Sequence, residues 1–227
     1  MINHHELDIR LRDLKVELAH ATLVAVSKYS PIEDVIEAYK CGQIDFGENR
    51  VSELKTKADI FQEKNFSNVR WHFIGVLQTN KVKDLLKTPN LWAIHSVSSK
   101  KIVEELIKRE SEFTGIELKL FFQFNTSHEA EKTGFETIEE LQESIELIRS
   151  LKNSKLKLFG LMTMGAIRTD NVLTDAVKCF QKLKIIRALL VKNYNLELKL
   201  SMGMSGDYKE ALEEGADFVR IGSLIFK

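Results

Sequence analysis

Only two prolines and no glycine- or serine-rich stretch occur in the 227 residues, so nothing marks a linker and residues 1–227 read as one domain. Cysteine is equally scarce. Cys41 and Cys179 each fall in a helical pattern far from the other, which argues against a disulfide framework and for reduced, buried thiols in a cytosolic protein. An excess of either charge is absent too: 33 basic residues meet 33 acidic ones, leaving no electrostatic reason to expect nucleic acid or an anionic membrane as partner. No apolar run reaches membrane-spanning length, and the N-terminal Met-Ile-Asn-His-His-Glu lacks a signal-peptide core. Metal-ligand spacing is missing as well, since His4 and His5 sit side by side near a terminus and His20, His95 and His128 are scattered. These absences leave the expectation of a soluble, cytoplasmic protein.

What is present is alternation. Leu7, Leu11, Leu14 and Leu18 recur at helical spacing and predict an amphipathic first helix. Residues 22–28 then read as a strand, followed by a helix opened by Pro31 and closed by Gly42. Further strands are predicted at 43–49, 71–75, 91–97, 117–125, 157–164, 196–204 and 218–223. Between them lie helical patterns at 50–64, 77–86, 99–112 behind Ser98 as N-cap, and 136–151, then a long stripe of Val172, Ala176, Phe180, Leu183 and Leu190. A last helix follows Ser205-Gly206, where Asp207 and Glu210 have capping-box spacing. Eight such alternations predict a (β/α)8 barrel of parallel strands with an extra N-terminal helix, and a doubly wound open sheet is the alternative. Gly47, Gly75, Gly160, Gly165, Gly203, Gly206 and Gly222 favour the barrel, because they cluster in or just after the C-terminal halves of strands, where a lack of side chain lets backbone approach another group closely.

In a barrel the chemistry sits at those C-terminal ends. Val24, Val26 and Lys28 share one strand face, so the lysine stands at the end of a row suited to the lumen. An amine removed from water favours the neutral form that Schiff-base chemistry needs, whereas a snorkelling lysine is the bland alternative. Asn49, His72 and Ser201 fall at comparable strand positions. By parity Phe218, Arg220 and Gly222 face inward, and a buried arginine needs an acceptor, either a ligand or an internal Asp or Glu. Residues 202–206 and 221–223 follow the last two strands, the usual phosphate position of this fold, so Ser205, Gly222 and Ser223 form a candidate phosphate nest. A lysine, an inward arginine and a phosphate nest are the parts of a pyridoxal-phosphate site.

The ordered motifs Ala25 to Lys28 (AVSK), Phe46 to Asn49 (FGEN), Trp71 to Gly75 (WHFIG), Leu77 to Lys81 (LQTNK), Lys132 to Phe135 (KTGF), Gly160 to Met164 (GLMTM), Leu200 to Ser205 (LSMGMS) and Val219 to Phe226 (VRIGSLIF) span nearly the whole chain. In these the sequence resembles the pyridoxal-phosphate homeostasis proteins, single-barrel relatives of the alanine racemase N-terminal domain. The resemblance implies that Lys28 holds pyridoxal 5'-phosphate as an aldimine, that Arg220 faces the pyridine nitrogen, and that Ser205, Gly222 and Ser223 hold the phosphate. Asn49, His72 and Ser201 would line the pocket. A cation at the ring nitrogen disfavours its protonation and leaves a poor electron sink. Relatives of the racemase type also carry a second, β-rich domain with the opposing tyrosine base, for which there is no room after Lys227.

The expected function is therefore non-catalytic cofactor binding in vitamin B6 and amino-acid homeostasis, by a monomer that passes its cofactor to apo-enzymes. An amino-acid racemase or a Schiff-base aldolase is the alternative. The sequence departs from the family at Tyr29 and Ser223, where threonine is usual, and in its short C-terminus. Lys132 reads as a solvated loop lysine, with transient capture of the aldehyde as a second reading.

Overall fold

The computed structural model describes residues 2–227 apart from 128, 130 and 167. Helix α1 (His4–Leu18) forms as its leucine spacing dictates: Leu7, Leu11, Leu14 and Leu18 are all buried, and the Asn3 side chain caps it by accepting from the His5 N–H. Arg10 on its outer turns donates to the carbonyls of Ile225 at 3.0 Å and Lys227 at 2.6 Å, which ties the first helix to the end of the chain.

Eight strands follow: β1 (Thr22–Val26), β2 (Asp45–Glu48), β3 (Arg70–Phe73), β4 (Leu91–Val97), β5 (Leu118–Gln123), β6 (Leu156–Met162), β7 (Lys199–Met204) and β8 (Phe218–Ile221). Each pairs in parallel with the next, and β8 pairs with β1, so the sheet closes and the open, doubly wound alternative is excluded. Outside it lie α2 (Ile32–Lys40), α3 (Val51–Glu63), α4 (Val82–Leu86), α5 (Lys100–Lys108), α6 (Ile138–Arg149), α7 (Val172–Tyr194), α8 (Tyr208–Glu213) and α9 (Ser223–Phe226). Strand parity divides the core in two. Leu23, Phe46, Trp71, Leu120 and Val219 face the helices, whereas Val24, Ala93, Phe121, Met162 and Phe218 fill the lumen with Trp92 and Phe159 beneath them.

Local signals misplace several ends. Strand β1 stops at Val26 and β8 at Ile221, so Ser223 opens α9 instead of ending a strand. Ser99, not Ser98, is the N-cap of α5, and Pro31 is the N-cap of α2 instead of its first helical residue. Asp207 does precede α8, yet its side chain makes no capping bond there; its Oδ1 accepts from the Met204 N–H at 2.6 Å, closing the preceding turn. The helical pattern at 77–86 becomes a 3-10 turn (Thr79–Lys81) before the short α4, whose Val82, Leu85 and Leu86 are buried. Among the described residues no helix is long and apolar enough to cross a membrane.

Because α1 contributes fully buried leucines to the main core, Leu11→Ala is expected to cost about 2–5 kcal/mol through lost burial and a residual cavity. Urea unfolding of the variant beside the parent measures it.

Candidate functional site

The rim of the barrel is set by an anchor on its outer wall. Ser27, the first residue after β1, donates its hydroxyl to Glu48 Oε1 at 2.7 Å, and Lys57 on α3 donates to the same oxygen at 2.6 Å and to the Ser27 carbonyl at 2.8 Å. With Ser27 tied outward, the next residue turns to the mouth. Lys28 is exposed there, so the desolvated lumen position expected from its strand parity is not what the chain adopts; β1 ends two residues earlier and leaves the amine on the rim. Tyr29 follows with φ 67°, a left-handed conformation that costs an aromatic residue energy, and it is 73% exposed. Its ring has the Lys28 Nζ and the Arg50 Cζ each 5.9 Å from the centroid.

Two further clusters border the same mouth. Asn49 follows β2, and its Oδ1 is buried without a hydrogen-bond partner. Gly75 permits this packing, since a Cβ on it would stand 1.9 Å from the Asn49 carbonyl oxygen. On the far side of β1, the Gly222 N–H donates to the Ser205 hydroxyl at 3.3 Å, and a Cβ on Gly222 would meet the Val26 carbonyl at 2.9 Å. Ser205 is half-buried and Ser223 exposed, so hydroxyls and backbone N–H groups of the β7 and β8 loops converge next to the end of β1. At Gly75 and Gly222 the group that backbone approaches so closely is the chain itself, at the end of an adjoining strand.

Below the rim a line of polar groups crosses the lumen. Arg220, 4% exposed, donates from Nη1 to Ser201 Oγ at 2.7 Å and from Nη2 to the Thr163 carbonyl at 3.0 Å. No described carboxylate forms an ion pair with it, so the internal Asp or Glu partner considered from sequence is not what satisfies it. Burial pushes its guanidinium down to about 10, against the opposing pull of Asp207, and it remains a cation at neutral pH. Ser201 Oγ lies 2.8 Å from His95 Nδ1, His95 Nε2 lies 2.8 Å from His72 Nδ1, and His72 Nε2 lies 2.9 Å from Asp45 Oδ1. Asp45 Oδ2 takes the Arg70 guanidinium at 2.5 Å at the base.

Burial lowers the proton affinity of both imidazoles, His95 the more strongly because the neighbouring His72 and Arg220 add to it, while the Asp45 carboxylate opposes burial at His72. Burial pushes the Asp45 carboxyl up, but its bonds to His72 and Arg70 outweigh this and hold it below the ordinary carboxylate value.

Residues 2–227 match the family described as alanine racemase, N-terminal domain. Curated relatives named pyridoxal phosphate homeostasis protein include that of Schizosaccharomyces pombe, 39% identical over 90% of this chain and 82% of its own. The chain belongs to this family. The human homeostasis protein is 40% identical over 90% of this chain and 75% of its own. Among solved structures, PipY of Synechococcus elongatus superposes with a TM-score of 0.87 at 30% identity, covering 97% of this chain and 100% of PipY. PipY with PLP bound gives 0.84 at 29% over the same shares. The alanine racemase of Corynebacterium glutamicum, 14% identical with a TM-score of 0.75, covers 99% of this chain and 61% of its own and shares the fold.

For a member of the homeostasis-protein family, the sequence-derived site divides into two layers. Lys28, Asn49, Ser205, Gly222 and Ser223 meet at the mouth, whereas His72 and Ser201 are fully buried behind Arg220 and do not line an opening. His95 and Asp45 were not among the expected site residues. Strand parity carries a signal for His95: it occupies an inward position two residues after Ala93, where an apolar strand would continue. His128 lies outside the described residues. Lys132 is not a solvated lysine: it pairs with Glu129, whose carboxyl it holds down to about 2, and donates to the Gly165 carbonyl at 2.6 Å. Its amine clamps two loops together.

Because His72 and His95 bind protons less readily folded than unfolded, their contribution is complete above the ordinary imidazole value of 6.5 and is lost as pH falls below it toward the depressed folded values. Stability between pH 7 and 5 is expected to decline by up to about 1.4 kcal/mol per pH unit for each histidine, read from denaturant midpoints across that range.

Proposed function

We propose that this chain binds pyridoxal 5'-phosphate on Lys28 and serves vitamin B6 and amino-acid homeostasis without catalytic turnover. The observation that carries the reading is a buried, carboxylate-free guanidinium directly beneath a rim that bears a lysine and a serine-glycine cluster. The donors suit the group. Arg220 offers N–H to a ring nitrogen, which has a lone pair and no charge; the Gly222 N–H and the hydroxyls of Ser205 and Ser223 suit a phosphate dianion; and the unpartnered Asn49 Oδ1 is an acceptor at the same mouth. When bound, the cofactor supplies an aldehyde that condenses with a primary amine and a ring that can draw electrons from an attached amino acid.

The chain's own residues favour the first property over the second. Lys28 presents its amine to solvent, where an aldehyde can arrive and leave. Arg220 remains a cation, and a cation against the ring nitrogen keeps that nitrogen unprotonated, which weakens electron withdrawal. The relatives named as homeostasis proteins and PipY, solved with PLP bound, support the same reading. We extend it to a cytoplasmic monomer, comprising residues 1–227 as one barrel domain, that passes its cofactor to apo-enzymes.

Protein purified from cofactor-replete cells is expected to be yellow, and Lys28→Ala to lose the visible band while keeping the far-UV spectrum of the fold. A colourless parent would count against the assignment. Incubation with alanine in deuterium oxide is expected to leave the α-proton in place, as read by proton NMR; exchange at enzymatic rates would favour a racemase.

A further inference from the structure

With both imidazoles neutral, as their burial favours, the polar line through the lumen has one arrangement of protons. Asp45 is a carboxylate and only accepts, so His72 must carry its proton on Nε2. As a neutral ring, His72 then has a bare Nδ1, and the 2.8 Å contact requires the proton of His95 on Nε2. His95 in turn has a bare Nδ1, so the Ser201 hydroxyl donates to it. That leaves the Ser201 oxygen free to accept from Arg220 Nη1. Every bond in the file therefore points from Arg220 toward Asp45. A second proton on either imidazole would make the Ser201 oxygen accept from both His95 and Arg220 and leave its own hydroxyl proton without a partner in the file.

The rings are also held mechanically. His95 stacks on Phe121 with centroids 4.2 Å apart at 16°, and His72 packs on Trp92 at 4.8 Å. The other charges facing the file are Arg70 and Lys119, which act on His72, and Asp207, which acts on Arg220. The link from His95 to Ser201 joins β4 to β7, strands that are not neighbours in the barrel, so it spans the lumen.

We propose that Asp45, His72 and His95 are positioning residues of the cofactor site, fixing through Ser201 the direction in which Arg220 presents its remaining N–H groups to the pyridine nitrogen. This rests on the reading of Arg220 as the partner of that nitrogen. None of the three touches the cofactor. They act by making Ser201 an acceptor toward Arg220, and through Arg70, whose side chain is 36% exposed, the file reaches the base of the barrel.

Nitrogen-15 NMR of histidine-labelled, cofactor-free protein at neutral pH tests the file alone, and both His72 and His95 are expected as neutral Nε2–H tautomers. An Nδ1–H tautomer or an imidazolium at either ring would overturn the proposal. With pyridoxal phosphate as probe, His95→Phe and Ser201→Ala are each expected to weaken binding about tenfold and to shift the visible absorption of the loaded protein. His95→Gln, whose amide can donate to His72 and accept from Ser201, is expected to restore most of both. Parent-like affinity and spectrum in His95→Phe and Ser201→Ala would also overturn the inference. Should His95→Phe fail to fold, Ser201→Ala and the tautomers of the unmodified protein decide. A parent that takes up no pyridoxal phosphate would instead sink the cofactor reading, which the tautomer result does not address.

Discussion

A positive charge enclosed in a barrel without a counter-ion in contact is the constraint on which this structure turns. Arg220 stands on β8 with its side chain inside the lumen, and its bonds go to a serine hydroxyl and a backbone carbonyl. Neutral acceptors in a low-dielectric interior can solvate a guanidinium only if their dipoles are fixed in direction, because reorientation there has no water to assist it. Both acceptors are fixed. Ser201 is oriented by His95, and Thr163, which supplies the carbonyl, is anchored by its own hydroxyl to the Phe124 carbonyl at 3.0 Å and to Thr126 at 2.8 Å.

The negative charges that Arg220 meets are thus not in contact with it: Asp207 acts on it without an ion pair. Asp45 lies at the other end of a hydrogen-bonded file, where Arg70 shares it. In the proposed site this separation has a chemical use. A carboxylate against Arg220 would occupy the donors that a ring nitrogen needs, whereas a distant one linked through neutral dipoles orients the guanidinium and leaves donors free. The same logic explains why the lumen combines a polar file with Phe121, Phe218 and Trp92: the aromatic faces exclude water from the imidazoles and limit their rotation.

Outside the sheet a separate buried ion pair does a different task. Lys57 and Glu48, both largely shielded, meet on the Ser27 hydroxyl and carbonyl, and such a pair gains specificity of geometry more reliably than stability. Here the geometry it specifies is the outward turn of Ser27 that places Lys28 on the rim. A buried polar floor and an exposed lysine at the rim are what the proposed cofactor site combines. Lys132 pairs with Glu129 in the β5–α6 loop and joins it to the loop after β6 through the Gly165 carbonyl.

Local information determined most of the architecture. Apolar periodicity is a property of neighbouring residues, so the leucine stripe of α1, the alternation into eight strands and the inward parity of Arg220 could be read directly, and Lys28, Ser205, Gly222 and Ser223 lie just beyond the C-terminal ends of strands. Strand and helix ends were less legible, since whether Asp207 caps a helix or closes a turn depends on which N–H lies nearer after folding. Tertiary structure alone decided that His72 and Ser201 lie beneath the site and that His95, unremarkable by spacing, joins them. Asp45, His72, His95, Ser201 and Arg220 come from five different strands, and no sequence separation encodes a hydrogen bond between β4 and β7. That contact exists only because the sheet closes, and closure brings opposite walls of the lumen within reach of two side chains.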